Sequence, residues 1–503
     1  MSQSTSTSQT EVINFREIPS PLLVPGSYQE IVPGYQKFGL FAIPSRTLFI
    51  GGKTSAGTAT TATVVPNVTR VLDGRGYGGA GSHIDRMVTA YLQPDNEVPL
   101  DIICLDDAGG GTAAAWTLTF TGTATQGGTP AVAIEGTRIY IGTLAGDTAS
   151  AAATEFAAAI NADTTRPVTA AAVGAVVTAT AKNKGVCGND ISFVANPARG
   201  DAMPAGLTLA ITQTVQGATN PSIAAALALV SNTWYTDIVI AWQDSANLVL
   251  LAAELERRWN AMTRRDARGH VGVTGTFSQQ LSVAAAANAR FIYFSPLQAP
   301  GSAPWAVAAS AAGICAQQLT TDPARQLDEI AMPGIVGPQP ANLAIDTEQE
   351  LLLAGGCSVF RVLQDGTVTM KRYVSTYTVN ANGGLDPAWQ DVMAQAVSSR
   401  IRYDWKNYFR SLYPANKLAP DGSLAAQSDP SVVTPNRAKA SWGARYIVYA
   451  KNGWVVDEIN QANAAEFFID PNDPNRLDYR IPYTRIGNMI VDAGQIVMNV
   501  GGE

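Results

Sequence analysis

At 503 residues the chain is longer than one hydrophobic core comfortably serves, so about two to four domains are expected. Its 46% hydrophobic and 15% charged residues describe a folded protein with a sparsely charged surface. The net charge of −7 is spread along the sequence rather than gathered in blocks, which argues against direct nucleic-acid binding, because neutralising phosphates takes clustered Lys and Arg.

Residues 1–7 lack the basic and apolar regions of a secretory signal. The strand-like stretch 11–18 places Ile13 and Phe15 on one side and Asn14 and Arg16 on the other. Pro19, Pro21, Pro25 and Pro33 follow it, so it reads as an extended arm. Thr47-Leu48-Phe49-Ile50-Gly51-Gly52-Lys53-Thr54 invites a phosphate-loop reading. That motif, however, needs a glycine where Thr47 stands and a helix start after Thr54, and a strand end with a turn fits better. Gly74-Arg75-Gly76-Tyr77-Gly78-Gly79 satisfies the dinucleotide pattern literally but follows only a short strand candidate. The simpler reading is a flexible turn, with Ser82 capping a helix to Leu92 that buries Met87, Val88 and Tyr91. A strand is expected over 98–105.

Between 108 and 220 the composition shifts to Ala, Thr and Gly with few charges. Trp116, Leu118 and Phe120 alternate with threonines. Strands are expected over 134–141, 168–180, 191–195 and 207–215, with a helix over 148–161 capped by Asp147. This is a β-rich insert with no chemistry attached. The pattern then turns to α/β: strands over 234–242, 270–274 and 290–294 alternate with helices over 248–262, 279–288 and 303–319, implying a sheet with helices packed on it. The run 303–316 is the most membrane-like, yet it falls short of the ~20 residues a span needs, so no membrane insertion is expected.

The four cysteines, Cys104, Cys187, Cys315 and Cys357, lie far apart in apolar surroundings without metal-ligand spacing and read as reduced and buried. Neither of the two histidines, His83 and His270, has a spacing partner for nucleophile, base or metal work, and both read as structural or exposed. Catalytic, cofactor-binding and metal sites are therefore all expected to be absent.

From 359 the chain forms a hairpin about Asp365-Gly366, a pair that tolerates a tight type I′ turn. Pairing through it sets Leu363 opposite Val368 and Val362 opposite Thr369. A helix over 387–412 follows, with Asp386 as its cap and Pro414 as its stop. Val397, Ile401, Trp405, Tyr408 and Leu412 recur at helical spacing as a buried stripe, and Arg402, Lys406 and Arg410 form a second, basic row. That row is either a solvated face or a docking surface for an acidic partner. Residues 442–449 read as a strand, 472–478 as a turn-rich stretch, and Ile496, Met498 and Val500 alternate as a final strand.

The run from Gln364 to Tyr377, QDGTVTMKRYVSTY, followed by Leu385-Asp386 and a long amphipathic helix, resembles the C-terminal domain of contractile tail sheath proteins, in particular those of Mu-like myophages. Pro25-Gly26-Ser27-Tyr28 resembles the Pro-Gly-x-Tyr element near the family's start. Tyr77-Gly78-Gly79-Ala80-Gly81-Ser82…Met87 resembles its Phe/Tyr-Gly-x-Gly-Ser…Met element with one extra glycine, and Gly188-Asn189 before a strand resembles the turn in the Mu-like insert. The fold class expected is multidomain α+β and α/β: an α/β sheet domain (39–107 and 221–345) carrying a β-rich insert (108–220), then a C-terminal α+β domain (346–484), with extended strand arms at 1–38 and 485–503.

The resemblance implies a structural virion protein that polymerises helically around an inner tail tube and contracts to drive the tube through the host envelope. It implies that the insert faces outward and the C-terminal domain faces the tube. It also implies that the arms, through Ile13, Phe15, Ile18, Ile496, Met498 and Val500, complete sheets of neighbouring copies. Arg402, Lys406 and Arg410 are then the residues expected to meet an acidic tube. Baseplate and tail terminator proteins are the further partners implied, with synthesis in the host bacterial cytoplasm and residence in the virion tail. The alternatives are the sheath of a non-phage injection device, such as a bacteriocin or secretion system, and a nucleotide-binding α/β enzyme using the glycine run.

Overall fold

The computed structural model of the chain describes residues 26–27, 39–94, 96–198, 200–297, 301–338 and 342–496. Residues 1–41 and 42–503 form two separate compact units. The architecture below is that of the second.

Its centre is a six-stranded sheet with spatial order Ile292–Pro296, Arg268–Val273, Asp237–Ile240, Thr47–Gly52, Leu100–Leu105, Val64–Val65. All neighbours run parallel except the short edge strand Val64–Val65. The inner strands are buried along their whole length, which is why they read in sequence as unbroken apolar runs rather than alternations. Helices cover both faces. Leu251 and Leu255 of the helix Ser245–Trp259 press on Gly269, where an added Cβ would lie 2.7 Å from Leu255 Cδ1. Three residues along the strand, and so on the opposite face, Gly272 lets the helix Pro304–Thr321 approach until an added Cβ would sit 1.8 Å from the Pro304 carbonyl. That helix is buried almost throughout, so the membrane-like alanine run is core.

The chain leaves the sheet after Leu105 and re-enters it at Asp237. Between lies a four-stranded antiparallel sheet, ordered Leu207–Val215, Ala115–Gly122, Val176–Ala181, Val168–Val173, and a three-stranded one, Thr137–Tyr140, Ala131–Ile134, Phe193–Ala195. The helix Ala149–Ala162 closes over the first, with Phe156 stacked on Phe120 at 5.3 Å. Two expectations are corrected here. The single strand over 134–141 is a hairpin, turned by Glu135 and Gly136 at φ 47° and 76°. The helix is capped by Thr148, whose hydroxyl accepts from Ala151 N, while Asp147 instead accepts from Leu144 N.

Further corrections follow along the chain. Gly74–Gly78 belongs to a helix, Val71–Gly78, rather than a turn: Gly74 lies so close to the helix His83–Leu92 that a Cβ would sit 2.7 Å from Val88 Cβ. The hairpin Val359–Val362/Thr367–Arg372 pairs Val362 with Val368 and Arg361 with Thr369, one residue from the expected register. Leu363 N donates to Thr367 O and Gly366 N to Leu363 O, so the loop holds three residues, with Gly366 at φ 87° taking the left-handed position of a bulged turn. The long helix begins at Val392 instead of 387, with Asp391 at its N-cap position, while Asp386 accepts from Ala388 N and Tyr377 OH in the turn before it. Residues 442–449 are helical within Pro435–Lys451: Ala438, Trp442, Arg445, Tyr446 and Tyr449 bury one stripe at helical spacing, behind a Thr434 cap and Pro435. Trp442 meets Trp405 edge-on at 5.1 Å, and this aromatic pair anchors the C-terminal part.

Candidate functional site

In an open parallel sheet a ligand sits beyond the carboxyl ends of the strands, where the strand order reverses. Here that place lies beyond Gly52 and Ile240, since the chain moves from Thr47–Gly52 to one side and returns on the other. The insert fills it. Asn183 Nδ2 donates to Lys53 O at 3.0 Å, and its Oδ1 accepts from His83 N at 3.2 Å. An added Cβ on Gly52 would lie 2.8 Å from His83 Nδ1 and 2.9 Å from Asn183 Nδ2. The His83 ring rests 4.5 Å from Trp305 and 6.0 Å from Trp242. Asp190 accepts from Gln243 Nε2 at 2.8 Å and Thr274 Oγ1 at 3.0 Å. Lys53, the lysine of the phosphate-loop lookalike, pairs with Asp106 at 3.0 Å.

His83 Nε2 stands 3.5 Å from Cys187 Sγ, an arrangement that spacing alone did not reveal. Burial works against nucleophile chemistry: it pushes the imidazole pKa down to about 3 and the thiol well up, so both are neutral. His270 joins a second hidden network. Its Nε2 meets Asp237 Oδ1 at 3.0 Å and its Nδ1 meets Tyr373 OH at 2.8 Å, with Ser295 Oγ 3.2 Å further on. This acid–imidazole–hydroxyl chain has the order of a catalytic relay. Every member is buried, and Arg268 grips Asp237 through two hydrogen bonds of 2.7 and 2.8 Å. Burial raises the Asp237 pKa, but Arg268 and His270 outweigh it and hold the carboxyl low, so the network ties the sheet to the C-terminal hairpin. Among the described residues no group of three or more His, Cys, Asp or Glu could hold a metal ion, and no helix is long and apolar enough to cross a membrane. All four cysteines are buried and free.

The surface is the other place to look. Of the basic row, Arg402 points inward: it donates to Asp266 Oδ1 and Trp259 O, both at 2.8 Å, and lies 4.3 Å from the Trp259 ring centroid. Lys406 and Arg410 have no acidic partner within 4.0 Å among the described residues, and neither has Arg264 on the adjoining loop, which spacing did not nominate. Burial lowers the Lys406 pKa, and the neighbouring Arg264 and Arg410 lower it further. Val397, Ile401 and Trp405 are buried as expected, while Tyr408 and Leu412 are half-buried. Ile13, Phe15, Ile18, Met498 and Val500 lie outside the described residues. Ile496 is 98% exposed and in no strand. Nearby in sequence, Glu466–Ile469 and Leu477–Arg480 form a two-stranded sheet with no further strand on either edge among the described residues.

Comparison with known proteins places these features. The model of the phage tail sheath protein central domain matches residues 216–376. Over 472 residues, 93% of this chain and 95% of the relative, the chain is 29% identical to the Mu-like prophage FluMu tail sheath protein of Haemophilus influenzae. Among solved structures, the sheath tail protein of Desulfitobacterium hafniense aligns at 13% identity and a TM-score of 0.47, covering 92% of this chain and 100% of that one. The contracted helical sheath of the anti-feeding prophage aligns at 10% identity and a TM-score of 0.44, covering 95% and 99%. On the sequence matches, the chain is similar to phage tail sheath proteins and reads as a structural protein of a contractile sheath of the Mu-like kind.

Proposed function

We propose that this subunit polymerises helically around an inner tail tube, is held extended until the baseplate triggers it, and shortens to drive the tube through the host envelope. The end-to-end match to a Mu-like sheath protein carries this reading. In it, residues 108–220 face outward and 346–484 face the tube. The arms 1–38 and 485–503 join neighbouring copies, a terminator protein closes the far end of the tail, and the subunit is made in the host cytoplasm before it enters the virion.

The joints work by strand addition: an incoming strand gains main-chain hydrogen bonds along a free sheet edge, and alternate side chains fix its register. The two-stranded sheet Glu466–Ile469/Leu477–Arg480 has such edges among the described residues, and Ile13 and Phe15, with Ile18 beyond them, and the alternating Ile496, Met498 and Val500 are the apolar side chains that would seat on them. Each hydrogen bond nets only about 0.5–1.5 kcal/mol, so a stable wall needs many joints in a head-to-tail array, which makes an open helix. On the tube side, Lys406 and Arg410 are the cations available to an acidic surface, Arg402 being engaged within the subunit.

Deleting residues 1–18 tests the scheme. The truncated chain should remain a folded monomer and form no striated tubes by negative-stain microscopy, and normal tubes from it would overturn the role given to the N-terminal arm.

A further inference from the structure

Beside the unpaired cations runs a groove with a volume of 440 Å³. Its walls come from three places: Trp259 and Ala261 at the end of one sheet helix, Trp389 before the long helix, and Tyr479, Ile481 and Tyr483 from the last hairpin and the segment after it. Ile401 and Trp405 form apolar lining along the long helix, and Arg264 and Lys406 stand on its rim. Tyr479 is 46% exposed, and Met262, next to Ala261, is 84% exposed. The groove is rigidly built, because Trp259 and Trp389 meet edge-on at 5.3 Å and Ser398 Oγ bonds Tyr483 OH at 2.6 Å.

Two observations decide what fits there. The cavity is aromatic and apolar, so it accepts a side chain rather than only balancing charge. Its rim is electrically one-sided: Arg264, Arg402 and Lys406 line it with no acid among the lining residues, Arg410 follows Lys406 one helical turn on, and Asp266 in the adjoining cleft already binds Arg402. We infer that this groove receives an acidic segment of the tube protein which inserts one apolar side chain between the aromatic walls while flanking carboxylates meet Arg264, Lys406 and Arg410. The inference rests on the tube-facing reading above and adds to it an apolar anchor and a further cation, Arg264; Arg402, which also lines the groove, is held by Asp266. A charge-only contact between smooth cylinders fixes no axial register, whereas one anchor per subunit does, since an apolar pocket is filled at one position and empty at the next.

The experiment is co-sedimentation of the full-length subunit with purified inner tubes at low and high salt. Lys406→Glu with Arg410→Glu removes the charges. Ala261→Trp fills the groove from one wall, and Ile481→Ser removes apolar lining from the other; Ala261 is exposed and Ile481 lies outside helix and strand, so neither change enters the core. Burial of one apolar side chain corresponds to about tenfold or more in affinity. The expected result is therefore at least about a tenfold loss for the charge reversal, and a similar loss for each groove variant that persists at high salt. If the charge reversal weakens binding while both groove variants sediment normally, the anchor is overturned and the tube-facing reading survives. If the groove variants fail and the charge reversal binds normally, the role of the cations is overturned. If all bind as the parent does, both readings fall together.

Discussion

Asp190 offers the sharpest test of how the insert is held in the sheet's crevice. Its carboxylate ends the turn Val186–Asp190 and reaches across to Gln243 and Thr274 on the sheet domain, with no cation paired to it among the described residues. Burial pushes its pKa up to about 6, against the pull of those two hydrogen bonds. An acid raised in this way stabilises the fold less as pH climbs: folded and unfolded chains are equally protonated below about 3.8, and above about 6 the folded chain holds a buried charge. A gap of about two pH units at 1.36 kcal/mol per unit makes that cost about 3 kcal/mol at neutral pH. Asp190→Asn removes it while keeping both bonds, since the amide oxygen accepts from Thr274 and the amide donates to Gln243 after that side chain flips. The variant should be about 3 kcal/mol more stable at pH 7 and no more stable at pH 4, the advantage shrinking by about 1.4 kcal/mol per pH unit between.

His83, in the same seam, has the opposite sign. Its pKa is lowered to about 3, so its contribution is intact above 6.5 and drains away as pH falls. Between about pH 6 and 4 the two slopes offset in the parent chain, and the Asn variant exposes the loss due to His83 alone. A chain with more than one core does not unfold in a single step, so the assay is hydrogen exchange at the amides of 183–191 as a function of pH. A pH-independent difference, or a variant less protected at pH 7, would refute the reasoning.

Arg402→Ala should destabilise the subunit by about 1–3 kcal/mol, because the buried Asp266 carboxylate loses its charged partner while Arg402 itself is a third exposed. Combined with Asp266→Asn and read by hydrogen exchange at the amides of Val392–Leu412, the pair should couple by more than about 1 kcal/mol; strict additivity would restore Arg402 to the surface. Tyr373→Phe should cost about 1–3 kcal/mol by leaving the His270 Nδ1 buried without its partner, and unchanged hydrogen exchange at the amides of Arg268–Val273 would show that the chain through His270 carries no load.

The central sheet was legible because strands buried on both faces leave unbroken apolar runs, and the insert because its composition changes. Registers and helix ends were less so. The hairpin slipped by one residue because Asp-Gly serves a two-residue turn and a three-residue bulged loop alike, and only the pairing distinguishes them. Residues 442–449 read as a strand because their aromatic and β-branched side chains outweighed a helical stripe that becomes clear only when Ala438 is included. The basic row was legible as spacing, but the separation of Arg402 from Lys406 and Arg410 was not, since Asp266 and Trp259 arrive from other elements. The same holds for His270, whose partners lie on two neighbouring strands and a distant hairpin.

The placing of the insert explains why a sheet of a ligand-binding kind does no chemistry here. The chain departs after Leu105, at the crevice end of the sheet, and re-enters at Asp237, at the opposite end, so the insert begins at the crevice and its base lies across it. Asn183, Cys187 and Asp190 occupy what would otherwise be ligand space, and the missing side chain of Gly52 lets Asn183 and His83 approach. Once filled, the crevice becomes a seam joining two sheets, and the buried bonds that cross it resist shear between them. For the contractile subunit proposed above, that exchange is sensible: a vacant cleft through the body would put compliance where the proposed wall has to carry force.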